Sequence, residues 1–216
     1  MTDVYWLEQT EVNVPLEDDW LSESETACLG GLTDRKGRAE WRLGRWTIKR
    51  AVAACQKLPL GADALKHVRI SISHRAGTAV CSLVMSDAAL ACNLELIEPR
   101  SFAFTADYFT TEEQVLVSRS SAADRPRLIA LIWSAKASAL KLVPTGLRAD
   151  THSVAVSPTE VVRRCGQCGV DTWRPLEVRH TGGQSFHGWW RHTGILLLTL
   201  VAQPPPGAPI LLDDRA

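Results

Sequence analysis

Arg127 to Lys141 reads RLIALIWSAKASALK. It holds neither glycine nor proline and consists mostly of good helix formers, so it predicts one long helix over Arg127–Leu142. A second long helix is expected from Lys36 to Gln56. There Trp41, Arg45, Ile48 and Val52 recur at three- and four-residue steps, which lets one face be apolar. Pro59 and Gly61 close that region. Ser22 with Glu25 three residues on reads as the start of a shorter helix.

Around these helices the sequence alternates. Val68–Ser73 (VRISIS) is a strand, His74–Gly77 a turn, Thr78–Met85 the returning strand and Ala89–Ile97 a third, expected to be central in its sheet. Residues 4–14 form an opening strand. Phe104–Val117 begins as a turn and becomes helical. Short strands follow at 151–157, 173–180 and 194–202, and the tail QPPPGAP (203–209) is extended and marks the end of the fold. The order of helix, strands, helix, strands gives an α+β fold of two similar halves, 1–98 and 99–216, each with a long helix and a small sheet. No glycine-rich phosphate loop follows a strand, so neither a P-loop nor a dinucleotide fold is supported.

Composition narrows the function. The chain has 216 residues, enough for a sizeable core, and 45% of them are hydrophobic. Its 24 basic and 24 acidic residues cancel, which argues against a nucleic-acid partner but leaves room for a local basic pocket. The longest apolar run, Ile195–Ala202, is about half the ~18 residues of a membrane span. The acidic N-terminus carries no signal-peptide pattern, so a cytoplasmic protein with six reduced cysteines is expected. A monomer is the default for a two-half fold. Cys165 and Cys168 form one CxxC pair, which His180, His187 or His192 could complete as a zinc site; with irregular histidine spacing, a loop with two free thiols is the preferred reading.

Three segments read together carry the functional argument: ISISHR (70–75), ACNLE (91–95) and WSAKASALK (133–141), followed by TGLRAD (145–150). The connecting PRSFAFTADYFTTEE (99–113) and the late GWWRHTGILLLTLVA (188–202) complete the pattern. In these motifs the sequence resembles the 4′-phosphopantetheinyl transferases of the surfactin-synthetase-activating type. That family shows a Ser-His at a strand end, a Gly-Ile/Val-Asp-x-Glu strand and a Trp-Ser-x-Lys-Glu-x-x-x-Lys helix. The resemblance covers Leu21 to Pro204. It implies two pseudo-symmetric α+β halves with coenzyme A between them, and Mg²⁺ on its pyrophosphate. It further implies transfer of phosphopantetheine to a serine of an acyl or peptidyl carrier protein.

Carried over residue by residue, the resemblance assigns Ser73, His74, Arg75, Arg45, Lys49, Trp133, Lys136 and Lys141 to coenzyme A, Lys141 to a phosphate in particular. Glu95, helped weakly by Asn93, is left for Mg²⁺, and Glu113 or a water would take the serine proton. The departures are equally specific. Asn93 stands for the strand Asp and Ala137 for the helix Glu, so one of three carboxylates remains. Glu25, Cys28 and Glu40 occupy positions where the family has basic residues; Arg38, Arg42 and Lys66 are close enough to substitute. Cys92 alternates away from Asn93 and Glu95 and reads as a small core residue. The chain is therefore either a working transferase with a reduced metal site or a relative that has lost transfer. The latter would bind a carrier protein, or act on a carrier-tethered acyl group with His74 or Glu95 as acid or base.

Overall fold

In the computed structural model of the chain, residues 2–58, 67–156 and 171–213 are described. The strands are β1 (Tyr5–Thr10), β2 (Val68–Arg75), β3 (Thr78–Met85), β4 (Ala89–Leu96), β5 (Val154–Val156), β6 (Arg174–His180), β7 (Ser185–Thr193), β8 (Leu196–Gln203) and β9 (Ile210–Leu211). The helices are α1 (Glu23–Gly30), α2 (Arg35–Gln56), α3 (Phe102–Tyr108), α4 (Thr111–Arg119) and α5 (Arg125–Leu140). Lys66, Pro59, Gly61 and the Cys165/Cys168 pair lie outside the described residues.

Local chemistry explains where the helices begin. Ser22 Oγ accepts from the Glu25 amide while Glu25 accepts from the Ser22 amide, a capping box that starts α1. Asp34 caps α2 through the amides of Lys36 and Gly37. A second capping box, Thr110 with Glu113, starts α4. This box divides the stretch read as one turn-then-helix from Phe104 to Val117. Phe109 between the two helices is extended (φ −112°, ψ 143°) and fully buried, so α3 ends there and α4 departs in a new direction.

The strands form two sheets, β2-β3-β1-β9 and β4-β8-β7-β6-β5. Helix α2 covers the outer face of the first sheet through Ala51, Ala54 and Cys55 against Leu7, Cys81 and Leu83. Helix α5 covers the outer face of the second through Ile132, Ala135 and Ala139 near Ala91, Leu197 and Val201. Between the sheets lie Val4, Trp6, Val80, Val84, Cys92, Leu94, Leu198 and Leu200. The fold is thus α+β, with each long helix on its own sheet and the two sheets back to back.

Strand membership does not divide at residue 98. β4 pairs antiparallel with β8 of the second sheet, and β9 returns to pair in parallel with β1. The tail is therefore not the end of the fold: after the prolines, Ile210 and Leu211 pair with Tyr5 and Trp6, and Leu212 is buried beside Leu7. A two-residue edge strand has no period to read. β4 is likewise not a central strand but the edge of its sheet.

That edge is covered in an unusual way. The Cys92 amide donates to Ser71 Oγ at 3.0 Å and the Leu94 amide to Ser73 Oγ at 2.9 Å. Side chains of β2, the edge of the first sheet, thus satisfy the free backbone edge of the second. Replacing Ser71 and Ser73 by alanine leaves two amides unpaired inside the joint. Each loss is expected to cost about 1–3 kcal/mol, read as a lower midpoint in urea unfolding. An unchanged midpoint would show that the serines do not hold the sheets together.

Candidate functional site at the joint between the sheets

The serine clasp aligns β2 and β4, with Ser71 at Cys92 and Ser73 at Leu94. The same step of two on each strand sets Arg75 at Leu96, and its guanidinium reaches the neighbouring Glu95. The β2–β3 turn is only Ala76 and Gly77, both at positive φ (50° and 72°), so Arg75 is held at the hairpin end. Arg75 Nε lies 3.5 Å from Glu95 Oε1, and Arg100, just past β4, approaches the same oxygen at 3.3 Å. Glu98 takes Arg100 at 2.7 Å and Arg75 at 3.9 Å. The Glu95 side chain is 9% exposed, against 43% for Arg75 and 27% for Arg100. Arg100 also lies 5.1 Å over the ring of Phe104, which with Tyr108 packs edge-on or tilted against half-buried Trp133.

Two residues before Glu95, and on the same strand face, Asn93 meets α5. Its Nδ2 donates to Ser134 Oγ at 3.2 Å, which points Oδ1 at the Lys141 ammonium, also at 3.2 Å. Lys141 donates in addition to the Cys92 carbonyl at 2.7 Å. The hydroxyls of Ser134, Thr199 and Ser138 continue the network. Burial pushes the Lys141 pKa below its ordinary value, because the ammonium gains dipoles rather than a carboxylate in exchange for water. Ala137 is nearly buried and offers only a methyl group. Cys92 points the other way, into the layer between the sheets, as alternation requires.

Glu113 and Lys136 meet each other. Lys136 Nζ is 2.7 Å from Glu113 Oε2, with exposures of 0% and 1%, and it also donates to the carbonyls of Thr151 and Val154. Glu113 accepts from the amides of Val156 and Thr110. Every donor and acceptor of the pair is thus turned inward, tying α4, α5 and β5 together. Burial lowers the Lys136 pKa, with Glu113 opposing.

The cations of α2 are also engaged. Arg38 donates to the carbonyls of Leu29 and Leu32, Arg42 pairs with Asp18 at 2.8 Å, and Lys49 pairs with Glu25 at 2.7 Å. They fasten the segment before α2 onto it. Arg45 is exposed, its guanidinium 5.3 Å from the Trp41 ring, and His74 is exposed at the strand end. Ser73 is committed to the clasp. Glu98 and Arg100 stand between β4 and α3, Arg100 inside the quoted link and Glu98 just before it, and sequence reading assigns neither a role in the site. Their pairing with Arg75 depends on the meeting of two sheets, for which local spacing carries no signal.

The donor set does not fit a divalent cation. Among the described residues no three His, Cys, Asp or Glu side chains converge as a metal site. Glu95 is already paired with two guanidiniums, the Asn93 carbonyl oxygen faces an ammonium, and Ala137 has no ligand atom. Mg²⁺ prefers an octahedron of oxygens built on carboxylates and phosphates; here it would stand among three cations.

Residues 90–180 match the model of the 4′-phosphopantetheinyl transferase superfamily. The matched stretch runs from β4 through α5 to β6 and includes Asn93, Glu95, Arg100 and Lys141. No curated protein matches the chain. Among the described residues no helix is long and apolar enough to cross a membrane.

Two outcomes follow from the electrostatics. Lys136→Met strands the Glu113 carboxylate in the core and should cost about 3–5 kcal/mol in chemical unfolding. For Lys141 the sign is opposite to that of an ordinary ion-paired lysine. Between its depressed native value and its unfolded value of about 10.5, the unfolded chain holds more protons, so stability rises with pH across that window. Asn93→Asp gives the ammonium a counter-charge, raises its pKa and should flatten that rise. Parallel urea titrations of the two proteins from neutral to alkaline pH isolate Lys141, since Lys136 is common to both.

Proposed function

We propose that the protein transfers the phosphopantetheine arm of coenzyme A to a serine hydroxyl of an acyl or peptidyl carrier protein. The observation that carries this reading is the meeting, at the joint of the two sheets, of the Ser73–His74–Arg75 strand end with the β4 segment that holds Glu95 and contacts Lys141. The superfamily match supports the chemistry in general terms. In the reaction the serine oxygen forms a bond to the phosphorus next to the pantetheine arm. The bridging P–O bond of the diphosphate breaks, and adenosine 3′,5′-bisphosphate leaves with the electron pair. The serine proton passes to solvent water, because Glu113 is enclosed with Lys136. Arg75 and Lys141 face the diphosphate, while exposed His74 and Arg45 are available to the nucleotide's remaining phosphate.

A second reading has its own support: Asn93 and Ala137 stand where carboxylates are expected, so the chain would bind a carrier protein without modifying it. Intact-mass measurement of apo carrier proteins incubated with coenzyme A separates the two. Transfer predicts a mass increase of one phosphopantetheine that slows about tenfold or more in Arg75→Ala, the equivalent of one charged hydrogen bond. Carriers that stay apo here, yet are loaded by a known transferase, would establish the second reading.

A further inference from the structure

The metal that the resemblance implies is disfavoured by the very residues meant to hold it, and the same residues supply an alternative. Arg75, Arg100 and Lys141 bring three positive charges to the joint, and Glu95 and Glu98 bring two negative ones. One positive charge is left over before any ligand arrives. The guanidiniums are not used up by the glutamates. The Arg75 contacts are long, at 3.5 and 3.9 Å, and its side chain is 43% exposed, so most of its five donors remain available. Arg100 reaches both glutamates through a single terminal nitrogen. Lys141 uses two of three ammonium hydrogens, on Cys92 and Asn93. Asn93, which meets the lysine, and Glu95, which meets the arginine pair, occupy alternate positions of β4, about 7 Å apart along the strand. Two linked phosphates, bidentate to the planar forks at one end and met by a point charge at the other, suit that spacing.

We infer that this joint is a diphosphate-binding site in which Arg75, Arg100 and Lys141 take the place of a divalent cation, so that the ligand binds without metal. The inference rests on the transfer reading for the identity of the natural ligand, coenzyme A, but not for the existence of the site. Arginine forks supply the positive charge and directional hydrogen bonds to a diphosphate that a metal would otherwise supply. Asn93 matches this arrangement: a neutral amide accepts from Lys141 without cancelling its charge, whereas a carboxylate there would.

Isothermal titration calorimetry of the full chain with inorganic pyrophosphate, in EDTA and in excess MgCl₂, tests it. Binding is expected in EDTA, with an affinity that MgCl₂ does not improve by more than about twofold. Arg100→Gln and Arg75→Gln should each weaken it about tenfold or more, as expected for loss of a charged hydrogen bond. Arg75, the more exposed of the two, keeps the test open should Arg100→Gln not fold. Binding that requires MgCl₂, no binding in either condition, or arginine variants that bind like the parent would each overturn the inference. The carrier mass assay, run in EDTA and MgCl₂, keeps the two proposals apart. Pyrophosphate binding in EDTA with no carrier modified removes the transfer reading alone. Transfer that occurs only with MgCl₂ removes the metal-free site alone.

Discussion

Two backbone amides on the free edge of β4 set the geometry of the whole molecule. An edge strand must pair, be covered or meet water. Here the Cys92 and Leu94 amides are met by the hydroxyls of Ser71 and Ser73, two residues apart on the edge of the other sheet. Matching steps of two on both strands fix their relative register, as a ladder would, without merging the sheets into one. The layer of Val80, Val84, Leu94, Leu198 and Leu200 can then close between them. The clasp ends where β2 turns; the next matching step sets Arg75 at Leu96, and its guanidinium reaches the neighbouring Glu95. The charged cluster is therefore a continuation of the structural joint rather than a separate addition to it.

The remaining ionisable groups divide by what their partners can do. Glu113 with Lys136, Lys49 with Glu25 and Arg42 with Asp18 are closed pairs whose members hold neighbouring segments in place. Lys141 differs, since its partners are a carbonyl and an amide oxygen and its charge stays uncompensated by any carboxylate it touches. Arg75 and Arg100 differ too, because they share two carboxylates at the molecular surface with donors to spare. Among the groups of this joint, the two arginines combine charge with access to a ligand.

Much of this architecture is legible in the sequence, and the limits have physical causes. The helix from Arg127 and the hairpin from Val68 follow from composition and alternation, and both occur within a few residues of where the pattern places them. The orientation of Cys92 against Asn93 and Glu95 follows from the two-residue period of a strand. Sheet membership does not. β4 leaves the strands it follows in sequence to pair with β8, and β9 crosses the full chain to reach β1, choices made by long-range burial that no local window contains. The resemblance names Glu95, Asn93 and Lys141, which the fold gathers along β4 and the end of α5. It could not register that Lys136 and Glu113 complete each other, or that Arg100 returns to Glu95, because each is a contact between elements whose arrangement only the folded chain defines.

Asn93, Ala137 and the two arginines beside Glu95 shift the charge of the joint in one direction. At an effective dielectric of about 20, a unit pair at 4 Å is worth about 4 kcal/mol, and a divalent ion doubles each term. A metal at Glu95 would gain from Glu95 and Glu98 but be opposed by Arg75, Arg100 and, farther off, Lys141. With three carboxylates in place the same balance would favour the ion; with Asn93 and Ala137 it turns against it. An anionic ligand inverts every sign in that sum. The residues that make this joint a poor home for Mg²⁺ are the ones that make it a suitable seat for a diphosphate, and a neutral amide at 93 with a methyl group at 137 serves the second role as directly as it defeats the first.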